Sequence, residues 1–223
     1  MKNFIYIATF LITFVAVSQS TTVAFEKSKL TLAKKYSDQS SAISSIYNII
    51  ALEGPTSTYL DTLAVMYFNS RKNISCFLVI EDILKSKPND QRLLEMKAIS
   101  LESMGALEKA IETYQTILKL SNSNYHAYKI SGLQLALNKF DEAYASAKKA
   151  DQLTDSGKYE VTFQVNKNYN QKVKLKPAIA YLLGMIEVAM KKNEDAKLSF
   201  ERAVSLFPDF VLAKSKLTTL EAQ

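Results

Sequence analysis

Tryptophan is absent from this sequence, and histidine and cysteine occur once each, as His126 and Cys76. One cysteine excludes an internal disulfide, even in an oxidising compartment. One histidine, with no His/Cys/Asp cluster at ligand spacing, offers no metal centre. No glycine-rich phosphate loop and no serine nucleophile elbow are present. Five glycines and four prolines in 223 residues leave little turn material for a multi-stranded sandwich, which favours helices. The missing tryptophan also counts against a sugar-binding accessory, because stacking platforms commonly use it. The chain therefore reads as a non-enzyme that needs no metal and no cofactor.

What is there is an ordinary globular balance, 48% hydrophobic and 22% charged residues, which excludes wholesale disorder. The N-terminus is different. Lys2 precedes an apolar run at residues 4–17, and Ala16, Val17 and Ser18 then place small residues where signal peptidase reads them. This is the layout of a cleavable secretory signal, assigned to residues 1–18. The alternative is an uncleaved inner-membrane anchor, but the run is shorter than the roughly 20 residues a span requires. With the signal cleaved, no stable membrane span is expected. Losing Lys2 leaves 27 basic against 22 acidic residues, a small excess from an initial net charge of +6. An exported chain without a dense basic stripe is a poor nucleic-acid binder. A composition rich in lysine, asparagine and isoleucine reads as bacterial, with the periplasm as the expected address.

From residue 23 onward, pairs of amphipathic helices recur, starting near residues 23, 57, 91, 125 and 177. The fullest pair runs from Pro177 to Pro208. Its first helix carries Ala180, Leu183, Gly184 and Glu187 on one face; its second carries Ala196, Phe200 and Ala203. Gly184 leaves room for a close partner helix. Equivalent slots hold Ala42, Ile46 and Ile49 in the weak first pair, and Leu60, Leu63, Ala64, Tyr67, Cys76 and Ile80 in the second, which Pro88 ends. In the third they hold Leu94, Ala98, Leu101, Ala110, Tyr114 and Ile117, with Gly105 at the turn. There Lys97 and Asn122 stand where leucine and proline are preferred. The fourth pair has Tyr128, Gly132 and Leu135, then Ala143, Ala147 and Ala150, with an inter-helix turn that reads one residue short.

This order of sizes resembles the tetratricopeptide repeat, a 34-residue helix pair with a Trp-x2-Leu-Gly-x2-Tyr, Ala-x3-Phe, Pro pattern. Leu183, Gly184, Ala196, Phe200 and Pro208 match it, and Ala180 and Glu187 replace its two aromatic residues. The resemblance implies an all-α right-handed superhelix of about five helix pairs, repeats one to four covering 23–154 and the fifth lying within 177–223. Residues 155–176 interrupt the period. Tyr159, Val161, Phe163 and Val165 alternate with polar residues, as do Val173 and Leu175 with Lys172, Lys174 and Lys176, so an inserted β-hairpin is expected. Its lysines would discourage edge pairing with other chains. Residues 210–222 then form a C-terminal capping helix.

In the resembled family the first helices line a concave groove that holds peptide segments. By that resemblance the groove residues here are Asp61, Val65 and Phe68; Glu95, Ile99 and Glu102; Lys129, Leu133 and Ala136; Tyr181, Met185 and Val188. Acidic and apolar residues replace the lysines and asparagines that clamp a terminal carboxylate, which disfavours that mode. The expected function is a non-catalytic protein–protein interaction scaffold of the bacterial cell envelope, holding a protein or peptide segment in this groove. The alternative is a structural subunit of an envelope complex, or a homo-oligomer, that uses its outer faces while its own hairpin closes the groove. His126 is read as a surface histidine, with a partner carboxylate as the functional option. Cys76 is read as a small buried residue, and the Asp141-Glu142 and Glu194-Asp195 pairs as charges at helix N-termini.

Overall fold

The computed structural model describes residues 22–222, so the assigned signal at 1–18 lies outside the described residues. They form two compact units, one ending at Tyr59 and the other beginning at Leu60. The first is a helix pair, α1 (Val23–Lys35) and α2 (Gln39–Glu53), burying Glu26, Leu30 and Ala33 on one helix and Ala42, Ile46 and Ile49 on the other. Thr22 and Asp38 cap the two helices by accepting from the backbone N–H of Phe25 and Ser41.

The second unit contains α3 (Tyr59–Asn69) from its second residue on, α4 (Asn73–Leu84), α5 (Gln91–Ser103), α6 (Leu107–Ser121), α7 (Asn124–Ala136) and α8 (Phe140–Gln152). A hairpin follows, β1 (Glu160–Asn166) and β2 (Tyr169–Lys174), and then α9 (Leu175–Ala189), α10 (Asn193–Leu206) and α11 (Val211–Glu221). All-α helix pairs with one inserted hairpin and a last single helix are the architecture expected. The strand β2 runs directly into α9, so Leu175 and Lys176 belong to the helix. Pro177 sits in its first turn, where no N–H is needed.

Every pair closes through a three-residue turn, at 36–38, 70–72, 104–106, 137–139 and 190–192. The middle residue is left-handed each time: Ser37, Arg71, Gly105, Asn138 and Lys191, with φ between 55° and 75°. The third residue's N–H then donates back into the preceding helix, Lys72 to Tyr67 O and Ala106 to Leu101 O at 2.9 Å, Lys192 to Glu187 O at 2.8 Å. This satisfies carbonyls that a helix end leaves orphaned.

Small residues mark where the two helices of a pair touch. Ala64 meets Cys76, Ala98 matches Ala110, Ser131 donates to Ala143 O at 2.7 Å, and Gly184 matches Ala196; all are buried. This corrects the fourth pair. Its turn has the common length, and the missing residue lies earlier, in the two-residue link Asn122 and Ser123 between α6 and α7. Asn122 takes a left-handed cap at φ 48° instead of the proline-led loop. The first helix therefore moves by one position. Ala127, Ile130, Ser131 and Gln134 are buried in the slots, and Tyr128, Gly132 and Leu135 stand beside them, less completely covered.

Gly184 behaves as expected. A methyl group there would lie 2.6 Å from the Phe200 ring, so the glycine is what lets that ring fill the pair's core.

Candidate functional site

The first helices α3, α5, α7 and α9 carry the residues expected to face a groove, and the structure treats them in three ways. Val65 and Ile99 are exposed, and Phe68 is half-buried. Phe68 and Ile99 border an open cleft of about 450 Å³ with Asn69, Arg71, Asn73 and Ser103. This is the apolar part of the face that solvent reaches.

The acidic residues are held by neighbouring repeats. Asp61 accepts from Lys87 Nζ and Arg92 Nη2, both at 2.9 Å. Partial burial raises its pKa, and the two cations outweigh that, leaving the carboxyl below its ordinary range. Glu102 accepts from the Tyr114 hydroxyl and from Lys129 Nζ at 2.8 Å, while Lys129 also lies over the Tyr114 ring. Burial and the Glu102 bond together push the Tyr114 hydroxyl far above its usual pKa. Glu95 accepts from Gln91 at 3.1 Å and faces His126. These carboxylates act between repeats, so the face carries less free negative charge than its residue types suggest.

The third group is covered. Leu133 is only 9% exposed, and Tyr181 and Met185 are half-buried. The hairpin packs over this end of the face. Phe163 meets Tyr181 edge to face at 5.4 Å and Phe210 at 5.1 Å, and Tyr159 stacks on Tyr125 at 4.3 Å and 7°. Val173 is buried with Ala178, Ala180, Ala203, Phe210 and Ala213. The apolar side of the hairpin therefore finds the helical surface that a lone two-stranded sheet needs. Ala136 is exposed and Val188 half-buried.

His126 is not on the surface. It is fully buried, with Nδ1 3.0 Å from Ser121 Oγ and its ring against Tyr125 and Tyr114. Nε2 lies 3.3 Å from Glu95 Oε1 but lacks hydrogen-bond geometry. Burial holds the imidazole below its ordinary pKa, against the opposing pull of Glu95. The one-residue shift of α7 is the cause, since it turns His126 from the solvent side into the contact with the preceding pair. Cys76 is buried, as read, and burial raises its thiol pKa. Lys97, which stands in a leucine slot, pairs with Glu81 at 2.6 Å and covers the Phe77 ring.

Sequence reasoning passed over Gln171. Its side chain lies on the buried face of the hairpin, donating to Asp209 O at 2.5 Å and accepting from the Val211 N–H at 3.1 Å. Its even spacing with Val173 and Leu175 was the available signal: a polar residue on an apolar face must find partners.

A second cleft, of about 370 Å³, opens between the hairpin and the helices. Glu102, Tyr125, Tyr128, Lys129, Gly132 and Leu133 form one side; Glu160, Val161 and Thr162 of β1 form the other. Among the described residues no group of three or more His, Cys, Asp and Glu could hold a metal, and no helix is long and apolar enough to cross a membrane.

Comparison with known proteins agrees with this geometry. The tetratricopeptide repeat family matches residues 91–124 and 177–210, the third and fifth pairs. No curated protein sequence matches the chain. Among solved structures, YrrB, described as a TPR protein with an unusual peptide-binding site, is 14% identical with a TM-score of 0.64, covering 87% of this chain and 91% of its own. MamA from Desulfovibrio magneticus RS-1 is 11% identical with a TM-score of 0.60, covering 85% and 97%. The C-terminal part of a TPR protein from Cytophaga hutchinsonii is 16% identical with a TM-score of 0.62, covering 86% and 69%. Identities this low speak for the fold alone. Two tetratricopeptide repeats are thus matched by sequence, at residues 91–124 and 177–210, and the helix pairs around them have the tetratricopeptide repeat fold.

Proposed function

We propose that this protein is a non-catalytic scaffold of the bacterial cell envelope that holds a segment of a protein partner on its first-helix face. Tetratricopeptide arrays are protein-interaction modules. The observation that carries the reading is the apolar strip Val65, Phe68 and Ile99, open to solvent beside its cleft. Nothing in the packing of α3 or α5 requires those residues to be apolar and accessible. The peptide-binding site of YrrB lends support by analogy. Export rests on Lys2, the apolar run at 4–17 and the small residues at 16–18.

The other reading, an outer-face subunit, draws on Ile74 and Leu78, 66% and 58% exposed one turn apart on α4, and on Leu198, 65% exposed on α10. The hairpin does close part of the face, over α7 and α9, but α3 and α5 stay open, which favours the groove. A photoreactive phenylalanine analogue installed in cells at Ile99 or at Leu198 separates the two. Partner adducts from Ile99 in the periplasmic fraction are the expected result. Adducts from Leu198 alone would transfer the role to the outer face, and a cytoplasmic location would end the envelope assignment.

A further inference from the structure

Two glycines sit inside first helices, and only one is explained by the fold. Gly184 admits the Phe200 ring, whereas a methyl group added at Gly132 would meet nothing within 4 Å. A glycine in a helix interior is destabilising relative to alanine, and at Gly132 no atom near an added methyl group accounts for it. Gly132 instead forms the floor of the cleft beside β1. A helix without a side chain at that point lets another backbone approach closely.

The opposite wall of the cleft has a matching property. The sheet has two strands among the described residues, β1 paired with β2 from Glu160–Lys174 to Asn166–Tyr169. Every second residue of β1 therefore turns its N–H and C=O away from β2. The two edges are not equivalent. On β2, Lys172 guards the strand and Gln171 fastens it toward Val211, while Lys174 pairs across the hairpin with Glu160 at 2.8 Å. β1 contains no lysine between Glu160 and Asn166, and its Glu160, Val161 and Thr162 border the cleft. The lysine protection expected of the hairpin thus falls on one edge and leaves the other usable.

We propose that the cleft between β1 and Gly132 receives an extended polypeptide segment of the partner, which pairs with β1 as a third strand. Main-chain hydrogen bonds to β1 hold the segment, and the side chains on its inner face point toward Tyr125, Tyr128 and Leu133. Gly132 supplies the space in which its backbone runs. The proposal rests on the reading of the first-helix face as the binding face, and deepens it by specifying a strand where a helix is the other option.

The probe is a phage-displayed library of random linear dodecapeptides selected on the purified protein, with the best sequence remade as a series N-methylated at one position at a time. A strand paired along one edge loses affinity at alternate positions, by about tenfold at each sensitive one, and is indifferent at those between. Gly132→Leu, which projects into open space, should abolish binding while leaving the circular dichroism spectrum unchanged. The N-methyl series uses the unaltered protein, so it decides the matter even if that variant misfolds. Peptides that bind without a two-residue period, tolerate Gly132→Leu and are lost with Phe68→Glu or Ile99→Glu would overturn the strand and keep the groove. Failure to select any binding peptide would overturn both.

Discussion

The helix α9 of the fifth pair and the helix α7 of the fourth occupy equivalent places and are used in opposite ways. In α9, ten of fifteen residues are buried, its glycine is filled by Phe200, and the hairpin lies across Tyr181. In α7 the glycine faces a cleft, and the buried side includes the polar residues His126, Ser131 and Gln134. The comparison teaches that glycines one position apart in equivalent helices can serve packing in one pair and vacancy in the next. What decides between them is register, since one residue fewer between α6 and α7 rotates every side chain that follows.

The largest expected effect breaks the closed member of the comparison. Gly184→Ala should destabilise the protein by about 1–3 kcal/mol, because its methyl group and the Phe200 ring cannot both keep their places. Urea unfolding measures this, and adding Phe200→Leu should recover part of the loss; no recovery would mean the clash is elsewhere. Next is the clamp that ties the hairpin to α11. Gln171→Ala removes two hydrogen bonds and should cost about 1–2 kcal/mol. Amide exchange in Val211–Glu221 should rise more than in α7, and uniform acceleration would count against a local clamp.

The third test concerns the buried imidazole of α7, which faces Glu95, Tyr114, Tyr125 and Ser121. Its folded pKa is lowered, so the unfolded chain takes up a proton first as pH falls. Stability is then lost below the ordinary histidine pKa of 6.5, by at most about 1.4 kcal/mol per pH unit, and the loss ends once the folded imidazole is also protonated. Unfolding at about pH 7.5 and 5.5 should show this slope, less whatever His126→Gln retains. An equal slope in that variant would remove His126 as its source. Smallest is Gly132→Ala, which should stabilise by about 0.5–1 kcal/mol, opposite in sign to the same change at Gly184. Loss of stability would mean that the fold itself needs that glycine.

Much of the architecture was legible because size order and spacing are physical requirements of stacked helix pairs. Ala98 with Ala110 and Gly184 with Phe200 could be placed from the residues alone. The hairpin was equally readable, since alternation over Tyr159, Val161, Phe163 and Val165 has no helical alternative. The turns were harder: four of the five left-handed positions hold Ser37, Arg71, Asn138 and Lys191, so the glycine that usually marks such a site was missing. Lacking a proline at 122, the chain also hid where its period shortened, and Gly132 was assigned the slot that Ser131 fills. His126 was misjudged for the same reason. For the proposed groove, residue types were readable but their partners were not, because Lys87, Arg92 and Lys129 lie 26 to 31 residues from the carboxylates they reach.

The clamp at Gln171 has a mechanical consequence. A stack held only by nearest-neighbour contacts can peel from its free end one layer at a time. Here the amide of Gln171 and the ring of Phe163 reach past α9 and α10 to Val211 and Phe210, some forty residues on. A tug on the C-terminus should therefore meet one yield point, at which hairpin, fifth pair and last helix let go together.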